Sequence, residues 1–372
     1  MNKKVLLGMS GGVDSSVAAI LLQKQGYEVI GATMRLWEEE TEKITKNPIT
    51  DAKKVCEKLK IKHYVLDFRE EFRNRVVNNF ICTYMCAKTP NPCVECNKFM
   101  KFDAFYKIAK ELDCEYIATG HYAKCFYSKE FNEYVLAKAD AEEKDQSYFL
   151  YGVDKSILPH VIFPLADFNN KEEIRKIAEE NGLEVANKKD SQEICFIPNN
   201  DYIDFLKKEQ NKHNKCNAKG NESNKSNEMI NLDTKEGNIV LRNGKVLGKH
   251  TGYIKYTVGQ RKGLGVSYKE PLYVLEIEKE KNEVIVGTEE ELYTDTLFAN
   301  ELNFLINTEE NSIDGIEIEA KIRYRAKPAK AILKVEEGIA KVKFYEPQRA
   351  ITPGQSVVFY INNIVIGGGK IV

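Results

Sequence analysis

The sequence predicts an α/β chain: a parallel-sheet domain carrying a glycine-rich phosphate loop, then a small mostly-β domain, then a C-terminal β-barrel. Three observations carry this. Apolar strand-like runs alternate with helical-period runs through the first half, which implies βα units and a parallel sheet covered on both faces. A glycine pair, Gly11-Gly12, sits where the first strand turns into the first helix. From about Asn238 onward the pattern changes to short apolar runs separated by turn signals. At 372 residues the chain exceeds one core and calls for two or three domains. The expected boundaries are 1–204, 205–290 and 291–372.

In order, Lys4 to Met9 reads as a strand and Asp14 opens a helix; Glu28 to Met34 is the second strand, with a helix near Thr50 to Leu59. A strand from His63 to Asp67 and a helix from Glu70 to Ile81 follow. Phe102, Phe105, Ile108, Ala109 and Leu112 recur at helical spacing, so Lys98 to Leu112 reads as a helix, and Glu115 to Thr119 as a strand ending at Gly120. A helix from Lys171 to Asn181 is stopped by Gly182. Between Asn211 and Ile230, six of twenty residues are Asn and four are Lys. That stretch is too polar to pack, so 211–236 is expected to be a surface insertion. Beyond it come Ile239 to Leu241, a turn at Asn243-Gly244, Val246-Leu247, Leu272 to Ile277, Glu283 to Val286 and Ile316 to Tyr324.

The glycine loop carries the first chemical signal. Adjacent glycines let backbone N–H groups approach an anion, and Ser10, Ser15 and Ser16 add hydroxyl donors at the positive end of a helix. Asp14 repels a bare anion, which suggests a magnesium-nucleotide complex. A Walker loop does not fit, because the Gly-Lys pairs at Gly244, Gly248 and Gly369 are followed by Val246, His250 and Ile371. The dinucleotide fingerprint fails too, with Ser15 where a third glycine belongs. The bland reading is a tight strand-to-helix turn.

Nine cysteines without a secreted-domain framework point to catalytic or metal roles ahead of structural disulfides. In Thr89-Pro90-Asn91-Pro92-Cys93-Val94-Glu95-Cys96-Asn97-Lys98 two prolines predict an ordered loop, with Cys96 just before a helix. The helix dipole and Lys98 are then expected to lower the Cys96 thiol. Cys82, Cys86, Cys93 and Cys96 could instead bind zinc, whereas Cys56, Cys114 and Cys125 sit in apolar contexts and read as core. Cys195 lies between polar and apolar runs, on a strand or short loop. With 55 basic and 56 acidic residues, any nucleic-acid surface must come from local segregation of charge. Such a segment runs from Ala320 to Arg349, where nine basic residues face three acidic ones and Lys321, Arg323 and Arg325 alternate onto one face of an expected strand. A solvated strand face is the bland alternative. The amino terminus enters a strand directly and no apolar run approaches a membrane span, so a cytoplasmic protein is expected.

Six segments together resemble the bacterial tRNA-specific 2-thiouridylases, a family of N-type ATP pyrophosphatases: Ser10 to Ser16, Thr89 to Asn97, Ala118 to Tyr122, Lys144 to Leu150, Asp190 to Phe196 and Gly259 to Gly265. The resemblance implies that ATP adenylates the C2 oxygen of the wobble uridine, releasing pyrophosphate, and that a cysteine persulfide then delivers sulfur and expels AMP. Gly8, Met9, Ser10, Gly11, Gly12, Val13, Asp14 and Ser15 would hold ATP, with Mg2+ at Asp14, and Met34 and Gly120 would line the nucleoside. Cys96 would be the nucleophile and Cys195 the persulfide carrier, with Asn91, Pro92 and Cys93 facing the target base. His121, Lys144, Asp145, Gln146, Arg323, Tyr324 and Gln355 match tRNA-contacting positions. The implied partners are tRNAs for Lys, Glu and Gln, and a cysteine desulfurase or sulfur-relay protein. Many members carry Asp where this chain has Cys93, which leaves open a [4Fe–4S] cluster held by Cys93, Cys96 and Cys195. The competing readings are another pyrophosphate-loop tRNA thiolase, and a zinc-stabilised RNA-binding protein with a regulatory nucleotide loop.

Overall fold

The computed structural model describes residues 3–37, 48–187, 194–217, 235–307 and 312–372. Strand β1 (Lys4–Gly8) leads into helix α1 (Val13–Lys24), and β2 (Glu28–Arg35), α2 (Pro48–Leu59) and β3 (Lys62–Asp67) follow. Helix α3 (Arg69–Phe72) continues through a π-helical segment, Arg73–Val77, into α4 (Asn78–Met85). After a loop, α5 (Pro92–Glu95), a second π segment (Cys96–Ala104) and α6 (Phe105–Glu111) form one run that delivers the chain to β4 (Tyr116–Ala118). The antiparallel hairpin of β5 (Lys124–Ser128) and β6 (Glu133–Ala137), strand β7 (Val161–Ile162) and helix α7 (Lys171–Glu180) complete this part.

Five strands pair in parallel in the order β3-β2-β1-β4-β7. The chain builds outward from β1 to β3, then returns to place β4 on the other side of β1. That reversal opens a crevice beyond the carboxyl ends of β1 and β4, where open α/β sheets bind ligands. Alternation along β1 shows why both faces are covered: Val5 and Leu7 enter the core shared with α1 and α7, while Leu6 enters the core beneath Phe102 and Phe105.

Helix α8 (Tyr202–Asn217) leads to a four-stranded sheet, order β10-β11-β8-β9, made of β8 (Glu236–Leu241), β9 (Val246–Thr251), β10 (Tyr273–Glu278) and β11 (Glu283–Gly287). The expected 211–236 insertion is therefore helix as far as Asn217 and strand from Glu236; the rest of it lies outside the described residues. Buried Glu209 pairs with Arg73 and ties α8 to the first π segment. Six strands then close a barrel: β12 (Tyr293–Phe304), β13 (Ser312–Lys321), β14 (Ala329–Glu336), β15 (Ile339–Arg349), β16 (Ser356–Ile361) and β17 (Ile364–Ile371). The ring runs β12-β15-β14-β13-β16-β17 and closes through β12–β17. The β5–β6 hairpin extends it, with Ile364 opposite Ala137 and Val365 opposite Leu136, so the first domain and the barrel share hydrogen-bonded sheet. Among the described residues no helix is long and apolar enough to cross a membrane.

Two expectations change. The helix carrying Cys96 begins at Pro92, not at Asn97, because proline suits the first helical position, where no backbone donor is needed. Strand β13 ends at Lys321, so Arg323 and Arg325 lie in a turn instead of alternating on a strand face. The basic segment is also partly neutralised by acids outside it: Lys334 by Asp314, Lys343 by Asp295 and Arg349 by Glu289.

Candidate active site

The loop after β1 is shaped by its small residues. Gly11 has φ +67°, and a Cβ there would lie 2.5 Å from the Pro48 carbonyl oxygen, so no other residue fits without movement. Gly12 caps α1 in extended conformation. The Ser10 N–H donates to Ser15 Oγ (3.2 Å), the two hydroxyls lie 3.1 Å apart, and Ser16 Oγ donates to Gly12 O (2.8 Å). These bonds hold the turn open at the amino end of α1, a geometry suited to an anion. Gly120, just beyond β4, packs on the same turn: a Cβ there would meet Ser15 N at 3.0 Å. Across the loop mouth, the Met34 methyl lies 3.9 Å from where a Gly8 Cβ would stand. Of the ten residues expected to bind ATP, Met9 and Val13 are buried in the core behind the loop, and the rest lie in the loop or beside it.

Asp14 is engaged on both oxygens. Tyr122 OH donates to Oδ1 (3.0 Å) and Lys171 Nζ contacts Oδ2 (2.7 Å). Lys171 is the first residue of α7 and half-buried, so a lysine lies beside the phosphate loop that the sequence reading did not single out. Its signal was faint, a single Lys at the start of an amphipathic helix. Each Asp14 oxygen uses one lone pair in these contacts, which leaves acceptor capacity beside the loop.

From Gly120 the contacts run on toward the π segment that holds Cys96. His121 follows Gly120, bonds to Thr119 Oγ1 through Nδ1 (2.7 Å) and forms a triangle of rings with Phe102 and Phe163. Burial, helped by the nearby Lys101 charge, holds its pKa well below the ordinary value, so the imidazole is neutral. The same Lys101 bears on Cys93, Cys96 and Cys195, favouring thiolate at each. Lys101 and Cys96 belong to one π segment. Its i→i+5 bonding brings residues five apart toward one face, whereas an α-helix would set them about 140° apart.

The expectation of a lowered Cys96 thiol is overturned. Cys96 is only 8% exposed and belongs to an apolar cluster with Met100, Phe196 and Ile197. Burial raises its thiol to about 12, and Lys101 offsets this only in part. Cys195 and Cys93 are surface-exposed, yet the protein around them partly desolvates their thiols and raises both, Cys195 to about 11. Cys195 stands in a turn pinned by Phe196, whose ring meets Phe72, Phe80 and Phe205 within 5.6 Å. Cys93 and Cys195 each add to the rise at Cys96, and Cys93 to the rise at Cys195. Among the described residues, however, no group of three or more His, Cys, Asp or Glu side chains is arranged to hold a metal. Neither the iron–sulfur set nor the zinc set fits the observed arrangement. Asp190 to Glu193 lie outside the described residues. Cys56 and Cys114 are buried in the core, and Cys125 donates to Leu158 O.

The residues matched to tRNA contacts divide into two groups. Lys144 is half-buried beside the Tyr122 ring (5.4 Å). The Asp145 carboxylate turns inward and accepts from Ala139 N–H, Ser147 N–H and Ser147 Oγ at 2.8–3.2 Å. Gln146 Oε1 accepts from Tyr122 N–H (3.0 Å). Arg323 donates to Arg349 O, and the Tyr324 ring lies 4.4 Å from that of Phe149, which puts this barrel turn against the first domain. Gln355 Nε2 donates to Thr89 O (3.2 Å) and Pro90 O (3.0 Å), just before Asn91, buried Pro92 and exposed Cys93.

Three family models match in chain order: the tRNA methyl transferase HUP domain over residues 3–199, the tRNA methyl transferase PRC-barrel domain over 229–288 and the aminomethyltransferase beta-barrel domain over 294–371. Among curated relatives, the chain is 48% identical to the tRNA-specific 2-thiouridylase MnmA of Clostridium botulinum (strain Alaska E43 / Type E3), covering 99% of this chain and 98% of the relative. It is 45% identical to the protein of the same name from Clostridioides difficile (strain 630), covering 100% and 98%. Of solved structures, a 4-thiouridine synthetase–RNA complex with bound ATP is 19% identical over 50% of this chain and 43% of that one, with a TM-score of 0.33. The NMN synthetase of Francisella tularensis is 16% identical over 51% and 67%, with a TM-score of 0.34. Full-length identity of this order, with all three domain models in sequence, is decisive: the chain belongs to the tRNA-specific 2-thiouridylase family.

Proposed function

We propose that this chain is a tRNA-uridine 2-sulfurtransferase that consumes ATP and acts on the wobble uridine. The observation that carries the reading is a chain of contacts: the phosphate loop packs on Gly120, His121 next to it lies against the Phe102 ring, and Phe102 belongs to the same π segment as Cys96. These contacts support nucleotide and sulfur chemistry acting at neighbouring positions. The loop residues Gly8 to Ser15 hold the ATP phosphates, and Met34 and Gly120 flank the nucleoside. Mg2+ at Asp14 would neutralise the departing pyrophosphate.

The steps balance. The uridine C2 oxygen attacks the α-phosphate, pyrophosphate leaves, and the N3 proton is released, giving a C2–O–AMP adduct with a C2–N3 double bond. The terminal sulfur of a Cys195 persulfide adds to C2 and AMP departs. Cys96 then attacks Cys195 Sγ, breaking the remaining S–S bond; its proton passes to N3 and 2-thiouridine is released. A Cys96–Cys195 disulfide remains, and a two-electron thiol reductant restores it. The target base must be flipped from its stack, because C2 is otherwise out of reach. Asn91, Pro92 and Cys93 are the residues that would face it. The substrates are tRNAs for Lys, Glu and Gln, the sulfur comes from a cysteine desulfurase directly or by relay, and the site of action is the cytoplasm. Mass analysis of tRNA nucleosides from cells lacking the protein tests the reading. Loss of 2-thiouridine derivatives with 4-thiouridine intact is expected, and unchanged 2-thiouridine overturns it. In vitro, Cys195→Ser should form AMP and bind tRNA but transfer no sulfur.

A further inference from the structure

We propose that Gln355 is a positioning residue that holds the cysteine-bearing segment from the far end of the chain, acting through the Thr89 and Pro90 carbonyls. The proposal rests on the sulfur-transfer reading for its catalytic consequence, but its geometry stands apart from it. Residues 86–91 form no helix or strand, and the prolines at 90 and 92 remove two backbone donors. The carbonyls there need partners from elsewhere. One side-chain amide supplies both: Gln355 Nε2 bonds Thr89 O and Pro90 O, using the full donor capacity of its NH2 group.

The amide is launched from a rigid base. The Gln355 N–H donates to Thr352 O (3.2 Å) and its carbonyl accepts from Ile371 N–H (2.9 Å), which fixes the main chain to the end of the last barrel strand. A neighbouring bond, Thr89 N–H to Pro353 O (2.9 Å), runs between the same two loops. At the other end of the segment, Lys370 of β17 pairs with buried Glu95 at 3.1 Å and is itself steadied by Glu301 at 2.7 Å. Thr89 and Glu95 are thus gripped by one face of the barrel, with Cys93 between them and Cys96 next in sequence. Since Gln355 spends both amide hydrogens on this loop, it keeps only its carbonyl oxygen for RNA.

Iodoacetamide labelling of the full-length free protein at pH 8, with Cys96 and Cys56 followed separately by peptide mass spectrometry, tests the proposal alongside tRNA binding and thiolation kinetics. Gln355→Met keeps the side-chain length and removes the donors; Gln355→Glu sets an acceptor against two acceptors. In both, Cys96 should label roughly tenfold faster through easier local opening, with Cys56 unchanged. The dissociation constant for tRNA should stay within about twofold while kcat of thiolation falls and KM holds. Unchanged Cys96 labelling overturns the proposal, and weaker tRNA binding alongside it assigns Gln355 to the RNA surface. A parallel rise at Cys56 also overturns it, as global destabilisation. Because labelling needs no substrate, failure of the thiolation reading leaves this outcome legible.

Discussion

The ionisation of Cys96 in the free protein is open to direct measurement. Burial moves its thiol from an ordinary 9.0 to about 12. Three pH units at about 1.36 kcal/mol each put the cost of forming the thiolate near 4 kcal/mol above that of an ordinary cysteine. At pH 8 roughly one molecule in 10,000 then carries the thiolate, against about one in ten for an unperturbed thiol. Alkylation of Cys96 should therefore run about a thousandfold slower than that of free cysteine present as an internal standard. Its rate should rise tenfold per pH unit with no plateau before pH 10. Lys101→Met removes the cation that, among the described residues, favours this thiolate, so labelling should slow further at every pH, and Lys101→Arg should restore it. A Cys96 rate that levels off below pH 9, or that ignores Lys101→Met, would refute the assignment of burial as the controlling force.

Two further substitutions separate roles within the fold. Gly11→Ala forces a side chain into a left-handed position with its Cβ 2.5 Å from Pro48 O, so the loop must shift. Formation of AMP should fall roughly 100-fold, with the melting temperature down only a few degrees; near-normal AMP formation would show that this turn does not cradle phosphate. Asp145→Ala leaves the donors of Ala139 and Ser147 unpaired in the interior, and urea unfolding should register a loss of about 3 kcal/mol. Normal stability combined with weak tRNA binding would instead make Asp145 an RNA contact.

The first domain was legible because its signals are local. Val5, Leu6 and Leu7 must be buried on both sides, glycines must occupy the turn that follows, and β-hairpin signals mark the change after Asn238. The helix start at Pro92 and the turn at Arg323 went unread, since proline permits either a loop or a first helical turn and alternating charge permits either a strand or a turn. The β5–β6 hairpin showed no sign that it would pair with β17, because the partner lies more than 200 residues away in sequence.

The chemistry divides in the same way. Sequence by itself determined which groups are available: a phosphate loop, three cysteines, an acid at Asp14 and a family whose members share them. Only the tertiary structure decided their states. Lys171 reaches Asp14 from a helix 157 positions on, Phe196 and Met100 share the core that keeps Cys96 protonated, and Gln355 faces the cysteine loop. Ionisation and orientation depend on what surrounds a group in space. Neighbours along the chain, such as Lys98 beside Cys96, carry less weight than desolvation by residues that folding alone brings near.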